Sequence, residues 1–289
     1  MDKRLKFRKM LESDQIIVAP GAPDALTARI IERTGFDVCY MGGNGAVANM
    51  LGLPDIGLAT FSDMCNHARN ISASIDIPLI CDADTGYGNV NNVIRTVRAF
   101  EQAGVTGIHL EDQVTPKKCG AMEGIELISV EESVAKIRAA VFARRDPNFI
   151  IIARTDSRAV LGLDEAISRI QAYEDAGADL VYVEMLQSRE EVKRVVESVT
   201  VPVVFDTLES TAESAIPNKD LEELGVKMVI YSMSATLYKA QMMSQFMEDL
   251  KKTGTTRHHI DDMMPLHEYE KLLGIEEQIS YQEDFSAIK

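Results

Sequence analysis

The sequence of 289 residues is poor in cysteine: it has four, and no two of them form a CxxC pair. This scarcity argues against a disulfide framework and against a zinc site. Apolar runs of the roughly 20 residues that cross a bilayer are also missing, and residues 1–6 are not followed by the apolar core of a signal peptide. We therefore expect a soluble protein of the cytoplasm, a reducing compartment, with no membrane association.

Positive charge is also in short supply, since 30 Lys and Arg residues stand against 45 Asp and Glu residues, for a net charge of −15. A nucleic-acid surface needs clustered Lys and Arg to neutralise phosphates, so we expect no nucleic-acid partner. The acidic balance favours solubility and still allows a small anionic substrate, provided that the site contains a local cation.

A repeated segment indicates the fold. Its four copies lie at 34–42, 103–111, 176–184 and 224–232. Each copy has a glycine at its second position, where a helix would end in a left-handed cap, and then an apolar run typical of a buried strand. Strands of a second type are predicted at 77–82, 149–154 and 201–206, and a first strand at 16–20, which makes eight.

Amphipathic helices are predicted between these strands, most clearly at 89–103, 131–145, 164–176 and 189–199. Continuous apolar strands that alternate with helices predict a parallel sheet. Eight such units predict an α/β fold of the (β/α)8 TIM-barrel type. A doubly wound open sheet is the alternative, but the regular repeat and the lack of a GxGxxG turn after the first strand weigh against it.

The last part of the chain exceeds what eight units require. A long Met-rich helix is predicted at 235–252, then a polar break at 253–259 and a further helix at 262–274. We expect residues 1–289 to form a single barrel domain, with 253–289 as a C-terminal helical extension. This surplus predicts packing against a neighbouring subunit.

Two aspartates directly after an apolar strand, Asp82 and Asp84, form the strongest chemical signal. Side chains alternate between the faces of a strand, so both carboxylates project to the same side. Neighbouring carboxylates repel each other and resist desolvation, and a divalent cation such as Mg²⁺ relieves both costs. A helix cap or an Asx-turn is the structural alternative, although it explains one aspartate better than two.

Polar residues also end the other predicted strands, where a barrel of this type carries its active site. They are Tyr40 to Asn44, Glu111 to Gln113, Arg154 to Asp156, Glu184, Asp206 and Ser232.

A basic loop with a cysteine follows the fourth strand, where Lys117 and Lys118 precede Cys119. Adjacent lysines are expected to lower the pKa of the thiol, and the thiolate is the reactive form. Gly120 and Gly124 suit a loop that closes over a site. An ordinary solvated basic turn with an incidental cysteine is the alternative.

Three of these motifs together carry a resemblance: Asp-Ala-Asp-Thr-Gly-Tyr-Gly at 82–88, Glu-Asp-Gln at 111–113 and Lys-Lys-Cys-Gly at 117–120. With Tyr-Met-Gly-Gly at 40–43 and Leu-Gly-Leu-Pro-Asp at 51–55, the chain resembles the isocitrate lyase/phosphoenolpyruvate mutase superfamily. The resemblance implies an Mg²⁺-dependent barrel, with Mn²⁺ as a substitute, that acts on 2-oxo or 2-hydroxy carboxylates through enolate-like intermediates. It also implies a homotetramer whose last helices are exchanged between subunits.

The resemblance further implies a set of site residues. Those for the metal are Asp55, Asp82, Asp84 and Glu111; those for a dicarboxylate substrate are Gly42, Gly43, Asn44, Arg154, Glu184 and Asp206; the catalytic ones are Tyr40, Lys117 and Cys119. Asp84 would bind the ion directly and the other carboxylates would hold its waters. Backbone N–H groups at Gly42 to Asn44 would bind a pyruvate-like unit, and Arg154 would pair with its carboxylate. Cys119 matches the general acid of the carbon–carbon lyases, and an unassigned base would lie near Tyr40.

The chain departs from the family where a third carboxylate would bind. Isocitrate and methylisocitrate lyases follow the Cys-Gly pair with His and Arg, whereas this chain has Ala121 and Met122. Asp206 replaces an asparagine and should repel that carboxylate, and Ser232 replaces a proline. We therefore expect cleavage of an alkyl-substituted malate, such as 2,3-dimethylmalate, to pyruvate and propionate. The alternatives are methylisocitrate cleavage to pyruvate and succinate, oxaloacetate hydrolysis or decarboxylation, and a dicarboxylate-binding barrel without turnover.

Overall fold

Eight parallel strands form the sheet of the computed structural model, which describes residues 2–207 and 215–286. They are β1 (Ile17–Pro20), β2 (Cys39–Met41), β3 (Leu79–Asp82), β4 (Gly107–Leu110), β5 (Ile150–Thr155), β6 (Leu180–Val183), β7 (Val203–Asp206) and β8 (Met228–Tyr231). Consecutive strands from β2 to β8 pair with each other, and β8 pairs with β1. A single bridge between Gly21 and Tyr40 joins β1 to β2. The barrel is therefore nearly closed, and the predicted (β/α)8 fold is confirmed.

Helices lie between the strands and beyond them. They are α1 (Lys3–Glu12), α2 (Ala25–Thr34), α3 (Gly43–Leu51), α4 (Phe61–Ser74), α5 (Val90–Gln102), α6 (Val130–Ala143), α7 (Ser157–Leu161), α8 (Leu163–Asp175), α9 (Arg189–Glu197), α10 (Asn218–Glu223), α11 (Ser234–Thr253), α12 (Leu266–Leu272) and α13 (Ile275–Phe285). The four repeat glycines, Gly35, Gly104, Gly177 and Gly225, have φ angles of 98°, 85°, 96° and 88°. They end helices in the left-handed conformation, as the repeat predicted.

Helix α1 covers the end of the barrel at which the strands begin. Its Phe7 is fully buried among inward-facing side chains of the strands. Arg4 Nε donates to the carbonyl of Val105 at 3.0 Å, and Lys3 Nζ donates to that of Ser72 at 2.9 Å. Since α1 closes this end, the opposite end, where the strands stop, is the one left for a site.

The C-terminal region differs from its prediction. The helix predicted over 262–274 is shorter, Leu266–Leu272, and it ends close to Gly274, whose φ is 77°; α13, for which no bounds were predicted, follows that glycine. A 3₁₀ turn, Arg257–Asp262, occupies much of the expected polar break. Helix α12 returns to the barrel, where Arg29 of α2 donates to the carbonyl of Leu272 at 3.2 Å. None of the described helices is both long and apolar enough to cross a membrane.

Candidate active site

A polar pocket lies where the strands end. Its lining residues are Tyr40, Gly42, Gly43, Asn44, Asp55, Asp82, Lys117, Cys119, Gly120, Arg154, Glu184, Asp206, Ser232 and Met233. All the predicted site residues are in this set except Asp84 and Glu111, which lie behind it. Met233 was not among the predicted site residues, and no feature of the sequence distinguishes it from the other methionines.

The ends of β3 and β4 place Asp84 beside Glu111. The backbone N–H of Glu111 donates to the carbonyl of Asp84 at 3.0 Å. Asp82 accepts a hydrogen bond from the backbone N–H of Asp84 at 2.8 Å. Asp84 itself has φ of 48°, in the left-handed region. The Asx-turn considered as a structural alternative is therefore present at Asp82, but it leaves the Asp84 and Glu111 side chains unexplained.

Asp55, Asp82, Asp84 and Glu111 form a carboxylate cluster, and Lys117 is bound to it. Its Nζ lies 2.7 Å from Asp84 Oδ1 and 2.9 Å from Asp55 Oδ2, and all three side chains are buried. Although burial opposes it, the surrounding carboxylates raise the pKa of Lys117 well above its usual value. The ammonium group is thus permanently charged and bound to Asp55 and Asp84.

The cluster fits a divalent cation. Both carboxylate oxygens of Glu111 are buried and accept no hydrogen bond from the described residues. Burial raises the pKa of Asp84 to about 6, so this carboxylate is costly to keep ionised. Within 2–207 and 215–286, no three His, Cys, Asp or Glu side chains converge to ligate one ion together. The arrangement suits an ion that takes one carboxylate directly and reaches the others through water, as Mg²⁺ does.

Cys119 is partly exposed, whereas the other three cysteines are buried. Its backbone N–H donates to the carbonyl of Asp55 at 2.9 Å. Burial raises the pKa of the Cys119 thiol, so the predicted lowering by adjacent lysines was wrong. The physical reason is that Lys117 binds carboxylates, while Lys118 Nζ donates to the carbonyl of Gly124 at 2.8 Å. A protonated thiol is suited to donate a proton.

Arg154 borders the carboxylate cluster, with its Nε 3.6 Å from Glu111 Oε2. Its guanidinium forms a fork on Asp156, at 2.7 and 3.3 Å, and lies 3.5 Å from Glu184 Oε2. It also covers the ring of Tyr182, 5.0 Å from the ring centroid. A Cβ on Gly120 would overlap the Arg154 guanidinium. The loop of residues 114–124, called the cysteine loop below, therefore packs directly on Arg154. This close approach requires glycine at position 120.

Helix α3 begins at the pocket, and its first turn holds the predicted N–H donors. The Gly43 N–H already donates to Asp82 Oδ2 at 3.0 Å, so it does not serve a substrate in this arrangement. A Cβ at Gly43 would come within 2.7 Å of that oxygen, which explains the glycine. The Asn44 N–H is also in the first turn, where backbone donors lack a partner within the helix.

Asp206 behaves differently from the prediction that it repels an anion. Ser232 Oγ donates to its Oδ2 at 2.7 Å, and the Tyr182 hydroxyl donates to the same oxygen at 3.1 Å. Burial, with the neighbouring Glu184 carboxylate, raises the pKa of Asp206 to about 8. Because Ser232 binds this carboxyl group and its pKa is raised, Asp206 repels an anion less strongly than a free carboxylate would, which corrects the predicted repulsion.

Tyr40 and His109 form a contact that the sequence did not reveal. The Tyr40 hydroxyl lies 2.8 Å from His109 Nε2. Burial lowers the pKa of His109 to about 4 and raises that of Tyr40 well above its usual value. Both groups are therefore neutral. One nitrogen of the His109 ring is thus hydrogen-bonded, whereas its Nδ1 has no hydrogen-bond partner among the described residues.

Comparisons with known proteins agree with the fold. The family model described as phosphoenolpyruvate phosphomutase matches residues 7–251. The chain is 44% identical over 276 residues to 2,3-dimethylmalate lyase of Eubacterium barkeri, covering 96% of each chain. The structure of oxaloacetate acetylhydrolase with 3,3-difluorooxalacetate gives a TM-score of 0.93 at 32% identity, covering 98% of this chain and 97% of that one. Phosphonopyruvate hydrolase bound to oxalate and Mg²⁺ gives 0.90 at 30% identity, covering 99% of each.

Proposed function

Because the chain belongs to the phosphoenolpyruvate mutase/isocitrate lyase superfamily, whose members include carbon–carbon lyases, we propose that it is an Mg²⁺-dependent lyase for alkyl-substituted malates. The most suitable substrate is 2,3-dimethylmalate, which yields pyruvate and propionate. The observation that carries this proposal is the partly exposed Cys119, which lines one pocket together with Arg154 and Asp82. A proton donor, an anion-binding group and the edge of a carboxylate cluster are what this cleavage requires.

The cleavage can be assigned to these groups with all atoms balanced. The 2-hydroxyl proton leaves on the side lined by Tyr40, and the C2–O bond becomes the carbonyl of pyruvate. The C2–C3 bond breaks with its electron pair on C3, and the Cys119 thiol gives that carbon its proton, which forms propionate. The proton released from the hydroxyl restores the thiol through solvent.

Two groups of residues would bind charged partners in the pocket: one would hold the metal and the other a substrate carboxylate. Asp84 would hold the metal, with Asp55, Asp82 and Glu111 around its waters. Mg²⁺, when bound, would supply positive charge that stabilises the 2-oxygen once its proton has left and before the C2–C3 bond breaks. Arg154 would orient the adjacent carboxylate by exchanging part of its contact with Asp156 for the substrate.

The preference for an alkyl group follows from the part of the pocket around Asp206. Ser232 and Met233 lie there, and neither adds a cation. Ala121 and Met122 follow the Cys119 loop and are exposed, again without charge. A third carboxylate would lose its hydration without gaining a cationic partner, whereas a methyl group has little hydration to lose.

We also infer a cytoplasmic homotetramer in which the extension after 253 is exchanged between subunits. The exposed apolar side chains on α11 and α13 support this inference, among them Met243, Met247 and Phe285 at 48%, 50% and 82% exposure. The scarcity of cysteine supports the compartment.

A substrate comparison tests the proposed function. Purified protein with Mg²⁺ is assayed for pyruvate from 2,3-dimethylmalate and from 2-methylisocitrate, and for oxalate and CO₂ from oxaloacetate. We expect kcat/KM for 2,3-dimethylmalate to exceed that for 2-methylisocitrate by at least about 100-fold, since an unpaired buried charge costs several kcal/mol.

Other outcomes would replace the proposal. Succinate as the faster product would assign methylisocitrate cleavage, and oxalate or CO₂ would assign oxaloacetate chemistry. Mg²⁺-independent binding of dicarboxylates without any product would indicate a binding barrel.

A further inference from the structure

Gln113 is the one residue of the Glu-Asp-Gln motif that bonds to the cysteine loop. Its side chain is buried, with 1% of the residue exposed. The amide donates from Nε2 to the carbonyl of Lys118 at 2.9 Å, and its Oε1 accepts from the Lys118 N–H, also at 2.9 Å. A side-chain amide has both a donor and an acceptor, so it binds the N–H and the carbonyl of one residue, Lys118, and thereby holds the two peptide units on either side of its Cα.

Lys118 immediately precedes Cys119, so this clamp acts next to the thiol. On its other side, the Cys119 N–H is bonded to the carbonyl of Asp55 at 2.9 Å. The base of the loop is closed by a bridge between Gln113 and Leu127 and by a bond from the Val114 N–H to the Glu126 carbonyl at 2.8 Å. Gln113 therefore connects the fixed base of the loop to the position that carries the thiol.

The other two residues of the motif, Glu111 and Asp112, have different contacts. Asp112 accepts from Thr155, Arg169 and Tyr173 at 2.6, 3.0 and 2.8 Å. Glu111 borders the carboxylate cluster. Among the described residues, neither side chain forms a hydrogen bond with the cysteine loop, so the hydrogen-bonded link from strand β4 to Cys119 runs through the Gln113 side chain.

We propose that Gln113 is a positioning residue of the lyase reaction, whose amide fixes the backbone at Lys118 so that the Cys119 thiol faces the carbon to be protonated. This inference rests on the proposed function, because it gives Cys119 the role of proton donor. Displacing a catalytic group by about 1 Å can lower the rate roughly 100-fold. Two hydrogen bonds that fix the backbone next to Cys119 would therefore have a large effect on turnover.

Two substitutions at Gln113 test the proposal. Gln113→Met preserves much of the volume and removes both bonds, and Gln113→Glu keeps the acceptor but removes the donor to the Lys118 carbonyl. We expect kcat on 2,3-dimethylmalate to fall by about 10- to 100-fold in each. Affinity for oxalate in the presence of Mg²⁺, measured by calorimetry, should remain within twofold, because Arg154 and the carboxylate cluster are untouched. Gln171→Met is the matched control. Gln171 lies on the outer helix α8, and this change removes its hydrogen bond to the carbonyl of Ser198. It should change neither kcat nor the affinity for oxalate.

A double-mutant cycle gives the readout that a purely structural role would not move. In a Cys119→Ser background, Gln113→Met should lower kcat by less than twofold, since the thiol that it positions is gone. Additive losses would overturn the proposal, and so would unchanged kcat in both single variants. Loss of oxalate binding in both would also overturn it, because Gln113 would then support the whole site.

These outcomes are distinct from a failure of the proposed function. If Cys119→Ser alone retains near-normal turnover, the proton-donor role is wrong and the proposed function fails first. If Cys119→Ser is impaired but the Gln113 effect adds to it, only the positioning role is wrong.

Discussion

Replacing Cys119 with serine is expected to lower kcat on 2,3-dimethylmalate by about 10²- to 10⁴-fold, the usual contribution of a positioned general acid. A serine hydroxyl keeps the size and the hydrogen-bonding capacity of the thiol but is a much weaker acid. The carbanion-like carbon left by the C2–C3 cleavage would then lack its proton donor. Affinity for oxalate with Mg²⁺ should stay within threefold, because Cys119 is not part of the carboxylate cluster.

The matched control for this variant is Cys65→Ala. Cys65 is buried in the outer apolar layer on α4, away from the pocket residues. Turnover in Cys65→Ala should be close to that of the unchanged protein. If Cys119→Ser retained more than about a third of the original kcat, the thiol would not be the proton donor.

Replacing Asp84 with asparagine is the second large effect that we expect. Asn tolerates the left-handed backbone found at Asp84, and it preserves the shape of the side chain while removing the charge. If Asp84 is the direct ligand, the loss of the metal's charge stabilisation, several kcal/mol, should lower kcat/KM by about 10³-fold or more. Raising the Mg²⁺ concentration should not restore it.

Asp164→Asn is the control for this change, since the Asp164 side chain is 89% exposed and pairs only with Arg194 at the surface. Calorimetry should show Mg²⁺ binding in the control and in the unchanged protein but not in Asp84→Asn. Undiminished Mg²⁺ affinity in Asp84→Asn would move the direct ligand to another carboxylate, and a circular dichroism spectrum checks that the barrel is folded.

The barrel could be predicted from the sequence because its signals are local. The helix-ending glycines, such as Gly35 and Gly177, precede apolar strands, and both features depend on a few neighbouring residues. The position of the pocket followed from the barrel alone, since parallel strands bring their ends together.

The partners of the charged groups could not be predicted in the same way. Lys117 and Cys119 are two residues apart, yet the loop directs the ammonium to Asp84 and leaves the thiol near Arg154. Burial then raises the pKa of Asp206 and of the thiol, and burial depends on packing from distant parts of the chain. The role of Gln113 is visible only once the loop has folded back onto it.

The most direct test of the account is to follow 2,3-dimethylmalate cleavage in D₂O with Mg²⁺ and to analyse both products by NMR. Because C3 would receive its proton from an exchangeable thiol, we expect equal amounts of pyruvate and propionate, with one deuterium at C2 of each propionate. Pyruvate without propionate, or propionate that carries no deuterium at C2, would contradict it.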